Sequence, residues 1–319
     1  TCRMKLNKLT LKDKKLFDQY LALARHELAA YAFANIYIWR ALYDIKWAII
    51  ENSLCVFFQD KIGCFMYLAP LAKERRPKVV KEAFAIMDSV NKNKDISRIE
   101  NIETGDLEYY QALGYLAQDK YPDYLCSRDD LAHLAGNKFK SQRAAYNYFI
   151  KHYCFDSRRL RATDKADCLK LFNLWLKERI SQCNDDIYCG MLEDNRKIIQ
   201  DTLVDYKRLD FEGIVVRVDK KIKGFSFGYK LNPETFCVLY EVTDLAFKGL
   251  AQFIFRRFCQ ELKKYKYINI MDDSGVEKLR KTKLSYKPVR LVPAYIVKLG
   301  DASIFLEPGK REIETSPNS

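Results

Sequence analysis

The feature that most limits how this chain can fold is a strand, turn and strand pattern that occurs once in each half. Residues 53–70 read SLCVFFQDKIGCFMYLAP, and residues 214–233 read IVVRVDKKIKGFSFGYKLNP. Each has two β-runs around a polar turn, Gln59-Asp60-Lys61 or Asp219-Lys220-Lys221, with Gly63 or Gly224 entering the second run. Both end in proline, which cannot continue a central strand. A hairpin cannot bury its apolar face alone, so the repeat predicts two similar α/β units. The chain has 319 residues, 48% of them apolar, enough for two cores. Helical periods surround the hairpins at 11–28, Pro77–Val90, 164–181, 193–209 and 249–264. A basic helix over Asn137–Lys151 joins the halves, which places one unit at 1–136 and the second at 137–308. Residues 309–319 carry Ser, Pro, Glu and Lys without periodicity and read as a disordered tail.

The second half orders its elements in a way that points to chemistry. After the hairpin come a strand over Thr235–Val242, a short loop, a helix opening at Gly249, a strand over Tyr265–Ile270, a basic segment and a last strand near Leu291–Val297. A strand that hands over to a helix leaves unpaired N–H groups past its end, and Gly249 and Ala251 either seat a phosphate or carboxylate there or make an ordinary tight turn. This arrangement resembles the acyltransferase fold of the N-acetyltransferase (GNAT) superfamily. In that superfamily a Gln/Arg-x-x-Gly-x-Gly/Ala turn binds the pyrophosphate of coenzyme A. The turn here reads Ala246-Phe-Lys-Gly249-Leu-Ala251, matching at the Gly and Ala positions and carrying Ala246 at the first.

The stretch GVEKLRKTKLSYKP, Gly275–Pro288, packs five basic residues and one acid into fourteen positions. Asn269, Asp273, Gly275, Leu279, Arg280, Lys283, Ser285, Tyr286 and Pro288, followed by Tyr295, resemble the signature of the phosphatidylglycerol lysyltransferase C-terminal domain family, in the form carried by its soluble stand-alone members. Glu27 with Phe33–Arg40, Asp123-Tyr124-Leu125, and Gly136-Asn-Lys138 with Arg143 extend the resemblance over about residues 15–297. It implies an α/β (α+β) fold of two tandem acetyltransferase-like units, each a mixed, mostly antiparallel sheet flanked by helices, with the reaction in the second. It also implies aminoacyl transfer from aminoacyl-tRNA to a lipid, peptide or small-molecule acceptor, without a bound cofactor. Acyl-coenzyme A-dependent transfer and non-catalytic binding of tRNA or anionic membrane are the alternatives.

Against that background each candidate side chain has a chemical role and a plainer one. Lys283 and Arg280 lie three apart on a short helix, either facing a donor phosphate or oxyanion or forming a solvated basic face. Tyr286 either donates a hydrogen bond to substrate or packs under the sheet. Asp272 and Asp273, just past the Asn269 strand end, either bind a cationic amine or form a turn and helix cap. Glu241, with Asp244 beside it, stands where a general base belongs in such a unit, or is an idle surface carboxylate.

Charge and cysteine usage bound the partners. The formal charge is +13, with thirteen basic residues against four acidic between Leu245 and Gly300. With Lys138, Lys140 and Arg143 these form a positive track suited to tRNA phosphates or anionic headgroups. The aromatic cluster Phe33, Tyr37, Trp39 and Trp47 reads as core. Ten cysteines lie singly and only three histidines occur, so a reduced cytoplasmic protein without a metal site is expected. Cys183 and Cys189 are expected to be free loop thiols. The longest uncharged run, Leu28–Trp39, is twelve residues and too short to span a bilayer. No signal peptide is read at the N-terminus.

Overall fold

The computed structural model describes residues 5–183 and 186–300. Two successions of elements follow the same plan. In the first half a short strand β1 (Asn7–Lys8) and helices α1 (Lys14–Leu21) and α2 (Phe33–Ile38) precede β2 (Asp44–Ile50), β3 (Ser53–Gln59) and β4 (Cys64–Met66). Then come α3 (Pro77–Val90), β5 (Arg98–Ile102), α4 (Thr104–Ala112) and β6 (Tyr115–Ser127). Helices α5 (Arg128–His133) and α6 (Lys140–His152) lead across. In the second half β7 (Phe155–Arg159), α7 (Lys165–Ser181) and α8 (Asp186–Val204) precede β8 (Glu212–Val218), β9 (Lys221–Lys230) and β10 (Thr235–Thr243). The series closes with α9 (Leu250–Glu261), β11 (Tyr267–Asn269), α10 (Glu277–Ser285) and β12 (Arg290–Leu299).

The strands of the described residues join one twelve-stranded sheet in the order β1-β2-β3-β4-β5-β12-β6-β11-β10-β9-β8-β7. Among them only β4–β5 and β10–β11 pair in parallel. The last strand of each half has crossed over: β12 pairs with β5, β6 pairs with β11, and the two run against each other in the middle. The duplication is therefore real, but it is offset from the hairpins that suggested it. Residues 53–70 form the third and fourth strands of their half, β3 and β4, whereas 214–233 supply the second and third of theirs, β8 and β9. A period-two pattern marks any hairpin in a sheet, and the equivalence is set by the parallel partners β5 and β11 instead.

Local sequence explains the elements. Pro77 opens α3 with its fixed φ, and Val79, Ala83 and Met87 with Val80 and Phe84 make the buried stripe. In β9, Phe225, Phe227 and Tyr229 face a core shared by both halves, which also holds Ile36, Phe57, Ile99, Phe172 and Val242. A second core under α9 gathers Phe149, Ile214, Val216, Phe253 and Phe258. Strand β6 gave no strand signal because QDKYPD interrupts it. Its Tyr121–Pro122 segment is a bulge, where the register with β12 steps from Asp123↔Val292 to Lys120↔Ala294, and a bulge tolerates a proline.

Three expectations change. The helix expected over 11–28 stops at Leu21. The helix expected from residue 193 runs from Asp186 to Val204. Cys183 and Cys189 are joined by a disulfide instead of being free, with their Cα atoms 6.2 Å apart, within the reach of such a bridge. The proposed tail lies outside the described residues. No helix among those described is long and apolar enough to cross a membrane.

Candidate functional site

The backbone after α1 does not continue as a helix because its N–H groups are taken by side chains from other elements. The Glu103 carboxylate accepts from the N–H of Glu27 at 2.8 Å and of Leu28 at 3.3 Å, and Asp123 Oδ2 accepts from Ala29 N–H at 2.7 Å. The Tyr31 hydroxyl donates to the Asn101 carbonyl at 2.8 Å. The segment held this way forms one wall of a cavity of about 320 Å³, whose lining comes from both halves of the chain. The other walls include Tyr67, Arg98 and Glu100, then Lys120, Tyr121 and Asp123 of β6, and Met271, Asp272 and Ser274 after β11. Strict strand alternation would put Lys120 and Asp123 on opposite faces, and the β6 bulge turns both toward the cavity.

Asp123 is 5% exposed. Its Oδ2 also accepts from Asn269 Nδ2 at 2.9 Å, while its Oδ1 accepts no hydrogen bond among the described residues. Burial lifts this carboxyl to about 6; the Ala29 N–H opposes the rise and the neighbouring Asp272 charge adds to it. Asn269 is fully buried and acts as a fixture, donating to the Glu27 carbonyl at 3.1 Å and accepting from Met271 N–H at 2.7 Å. Beside it, Tyr67 donates to Asn35 Oδ1 at 2.7 Å, Asn35 donates to the Tyr229 hydroxyl at 3.0 Å, and Tyr229 donates to the Ala29 carbonyl at 2.8 Å. The Trp39 indole N–H is buried and makes no well-aligned hydrogen bond among the described residues, although it interacts with the Tyr67 hydroxyl.

Also on the cavity lining, Glu100 accepts from Lys120 at 2.7 Å and from Arg98 Nε at 2.8 Å. Burial pushes its carboxyl up, and these two cations more than offset that, holding it below its ordinary value. Lys120 also donates to Asn101 Oδ1 at 2.9 Å, and the Arg98 guanidinium lies 4.2 Å from the Phe65 ring centroid.

The turn after β11 is fixed from below by Lys283. This side chain is 9% exposed, and Nζ donates to the carbonyls of Ile270, Met271 and Asp272. An ammonium has three N–H donors, so all are engaged and none is left for an oxyanion in this arrangement. Burial lowers its pKa, countered by Asp272, Asp123 and Asp273. Asp273 accepts from the Tyr124 hydroxyl at 2.5 Å and from Gly275 N–H at 2.9 Å, as a turn residue does. Gly275 has φ +73, and a Cβ there would crowd the Tyr121 hydroxyl. Asp272 Oδ1 accepts from Ser274, through N–H at 2.7 Å and Oγ at 3.0 Å, while the residue lines the cavity.

A family model for the phosphatidylglycerol lysyltransferase C-terminal domain matches residues 22–298. The chain belongs to that family. Comparison with curated protein sequences returned no match. A conserved protein of unknown function from Bacteroides thetaiotaomicron VPI-5482 superposes with a TM-score of 0.84 at 26% identity, over 93% of this chain and 100% of that one. The C-terminal domain of a putative lysylphosphatidylglycerol synthetase from Agrobacterium fabrum gives 0.62 at 12%, over 92% and 94%. FemX gives 0.60 at 10%, over 95% and 99%. The last two similarities show a shared fold.

Within this lysyltransferase-family fold the separated motif segments converge. Asn35 and Trp39, Asp123, and Asp272 all line the one cavity. Glu27 ties its wall to β12, accepting from Arg290 at 2.9 and 2.6 Å, a pairing that holds the Glu27 carboxyl low. Trp39, read from the sequence as core, packs against the core and also lines the cavity, as do Asp123, quoted only within a motif, and Glu100 and Lys120, which were not singled out. The three contiguous quoted motifs were the available signal. Glu100 and Lys120 gave none, because their role depends on β12 entering between β5 and β6.

Other candidates lie elsewhere. Glu241 on β10 stands opposite Ser226, with no ion pair among the described residues, and burial raises its carboxyl to about 8. Tyr286 packs against Phe255 with the rings tilted and their centroids 4.4 Å apart, and its hydroxyl pKa is raised first by burial and then by the Glu241 charge. Neither lines the cavity described above. Asp244 pairs with Lys223 at 2.8 Å and accepts from Ala246 N–H at 3.0 Å. Gly249 has φ +85, and a Cβ there would overlap the Ala145 carbonyl of α6. On that side the start of α9, with Ala251 in its first turn, is packed against the α6 backbone. Lys138 pairs with Asp130 at 2.6 Å, and Arg143 donates to the carbonyls of Leu134 and Gly136. Lys140 and Arg280 are exposed.

Proposed function

We propose that this protein is an aminoacyltransferase that takes its acyl group from aminoacyl-tRNA and holds it in the Asp123 cavity. The observation that carries this is a buried carboxylate with one oxygen unengaged, facing a cavity that both halves line, in a member of a family named for lysyl transfer. Asp123 and Asp272 receive the α-ammonium of the aminoacyl group. The acceptor's amine or hydroxyl attacks the ester carbonyl, the tetrahedral intermediate collapses, and the ribose oxygen of tRNA leaves with a proton. Asn269 and Lys283 are positioning residues, since Asn269 donates to Asp123 and accepts from the turn at Met271, while Lys283 donates to the carbonyls of the turn. Exposed cations such as Lys140 and Arg280 contribute electrostatic attraction for tRNA phosphates or an anionic membrane surface. This mechanism assigns no step to Glu241 or Tyr286.

The test is incubation of purified protein with tRNAs charged with radiolabelled amino acids, plus a lipid and peptide extract. Transfer of label to a product with release of deacylated tRNA is expected, and Asp123→Asn is expected to reduce it at least about a hundredfold, the worth of one lost charge-assisted contact and its orientation. Amine binding by wild type should strengthen as pH rises through about 6, because Asp123 must be ionised to receive an ammonium. Acetyl transfer from coenzyme A with no aminoacyl transfer would overturn the proposal.

A further inference from the structure

The cavity that receives the donor has a distribution of charge and hydrogen-bonding capacity that discriminates among amino acids. At the Asp123 end the unengaged groups are acceptors: Asp123 Oδ1 and the second oxygen of Asp272. Lys283 behind the turn offsets one of those two charges, so that end stays negative. At the Glu100 end the balance reverses. Arg98 and Lys120, with side chains 25% and 24% exposed, face a single carboxylate whose side chain is 12% exposed. Lys120 has two acceptors for three N–H groups, so an unengaged donor remains there.

Resting on the assignment of this cavity to the aminoacyl group, we infer that it accepts uncharged or acidic amino acids and rejects lysyl and arginyl groups. With the α-ammonium at Asp123 and Asp272, the side chain points toward Arg98, Lys120 and Trp39. A neutral acceptor or a carboxylate there meets the unengaged donor. A second ammonium or guanidinium meets two cations whose charge Glu100 only half cancels, and its own water must be removed as well. Like charges about 5 Å apart in a partly buried site repel strongly enough to lower affinity by one to two powers of ten. The lysyl group in the family's name therefore does not carry over to this chain.

Calorimetric titration with amino-acid amides tests this, since an amide keeps the α-ammonium and replaces the ester by a neutral carbonyl. L-Serinamide, L-glutamine amide and the α-amide of L-glutamate should each bind at least about tenfold more tightly than L-lysinamide and L-argininamide. Lys120→Met and, as a second variant, Arg98→Met should each narrow the gap by weakening the repulsion. Equal or tighter binding of L-lysinamide, lost in Asp123→Asn, would overturn the selectivity while leaving the cavity as the amine site. Absence of binding by every amide, with wild type folded, would overturn the cavity assignment and the selectivity together.

Discussion

Replacing Lys283 by methionine separates a positioning role from a catalytic one. The ammonium is 9% exposed and donates to three consecutive main-chain carbonyls. Each hydrogen bond to a charged group is worth about 1.5–3 kcal/mol, so three give about 4–9 kcal/mol gross. Keeping the ammonium out of water costs several kcal/mol against this, and methionine retains most of the aliphatic packing. The net loss is about 3 kcal/mol, mostly the penalty of leaving the carbonyls of Ile270 to Asp272 without a donor. With an unfolding entropy of about 2.1 cal/mol/K per residue, that is a fall of about 5 °C in Tm for a chain of 319 residues. Differential scanning calorimetry and transfer kinetics on Lys283→Met and Lys283→Arg check it. Positioning predicts that Tm and transfer fall together in the methionine variant, with amide affinity also weakened because Asp272 is no longer held. An unchanged Tm with transfer abolished would refute the clamp and restore Lys283 as a group that meets substrate.

Two further substitutions probe the second half. Glu241→Gln should stabilise the protein at pH 8.5 and be nearly neutral at pH 4, because a carboxyl whose folded value is about 8 imposes its cost only as pH rises from about 4.5 through 8. The ceiling is about 5 kcal/mol from the shift, and partial exposure reduces the expected gain to about 2 kcal/mol, read from urea midpoints at the two pH values. Gly249→Ala should cost about 3 kcal/mol by the same measurement, combining a left-handed φ of +85 with overlap on α6, and a neutral result would mean that the turn is not packed as described.

The parts legible in the sequence were those set by local periodicity and by contiguous motifs. Strands β3, β8, β9 and β10 and helices α3 and α9 show their pattern within a few residues, as does the turn at Gly249. The Gly275–Pro288 stretch was visible as a candidate site element, but the contacts of Lys283 were not, since nothing local says that its ammonium will meet three carbonyls past another strand. Asp123, Glu100 and Lys120 were obscured for a related reason. They lie on strands whose neighbours come from the other half of the chain, and β6 looks like a loop until Pro122 is seen to sit in a bulge.

That exchange of strands has a consequence for folding. Residues 1–136 hold β5 and β6 but not β12, which fills the gap between them, and residues 137–300 hold β11 and β12 without β6. Each piece alone would expose three strand edges that are paired in the whole chain, and one side of a core whose buried residues run from Leu9 to Val297. Expressed separately, fragments 1–136 and 137–319 should aggregate or remain unfolded. Co-expressed, they should assemble into a one-to-one complex with an intact cavity, because the cut falls between α5 and α6 and severs no strand. The check is size-exclusion chromatography with circular dichroism on each fragment and on the pair, followed by L-serinamide titration of the complex. Cooperative unfolding of either fragment alone would refute the argument, since it would mean that one half closes its sheet without the strand it receives from the other.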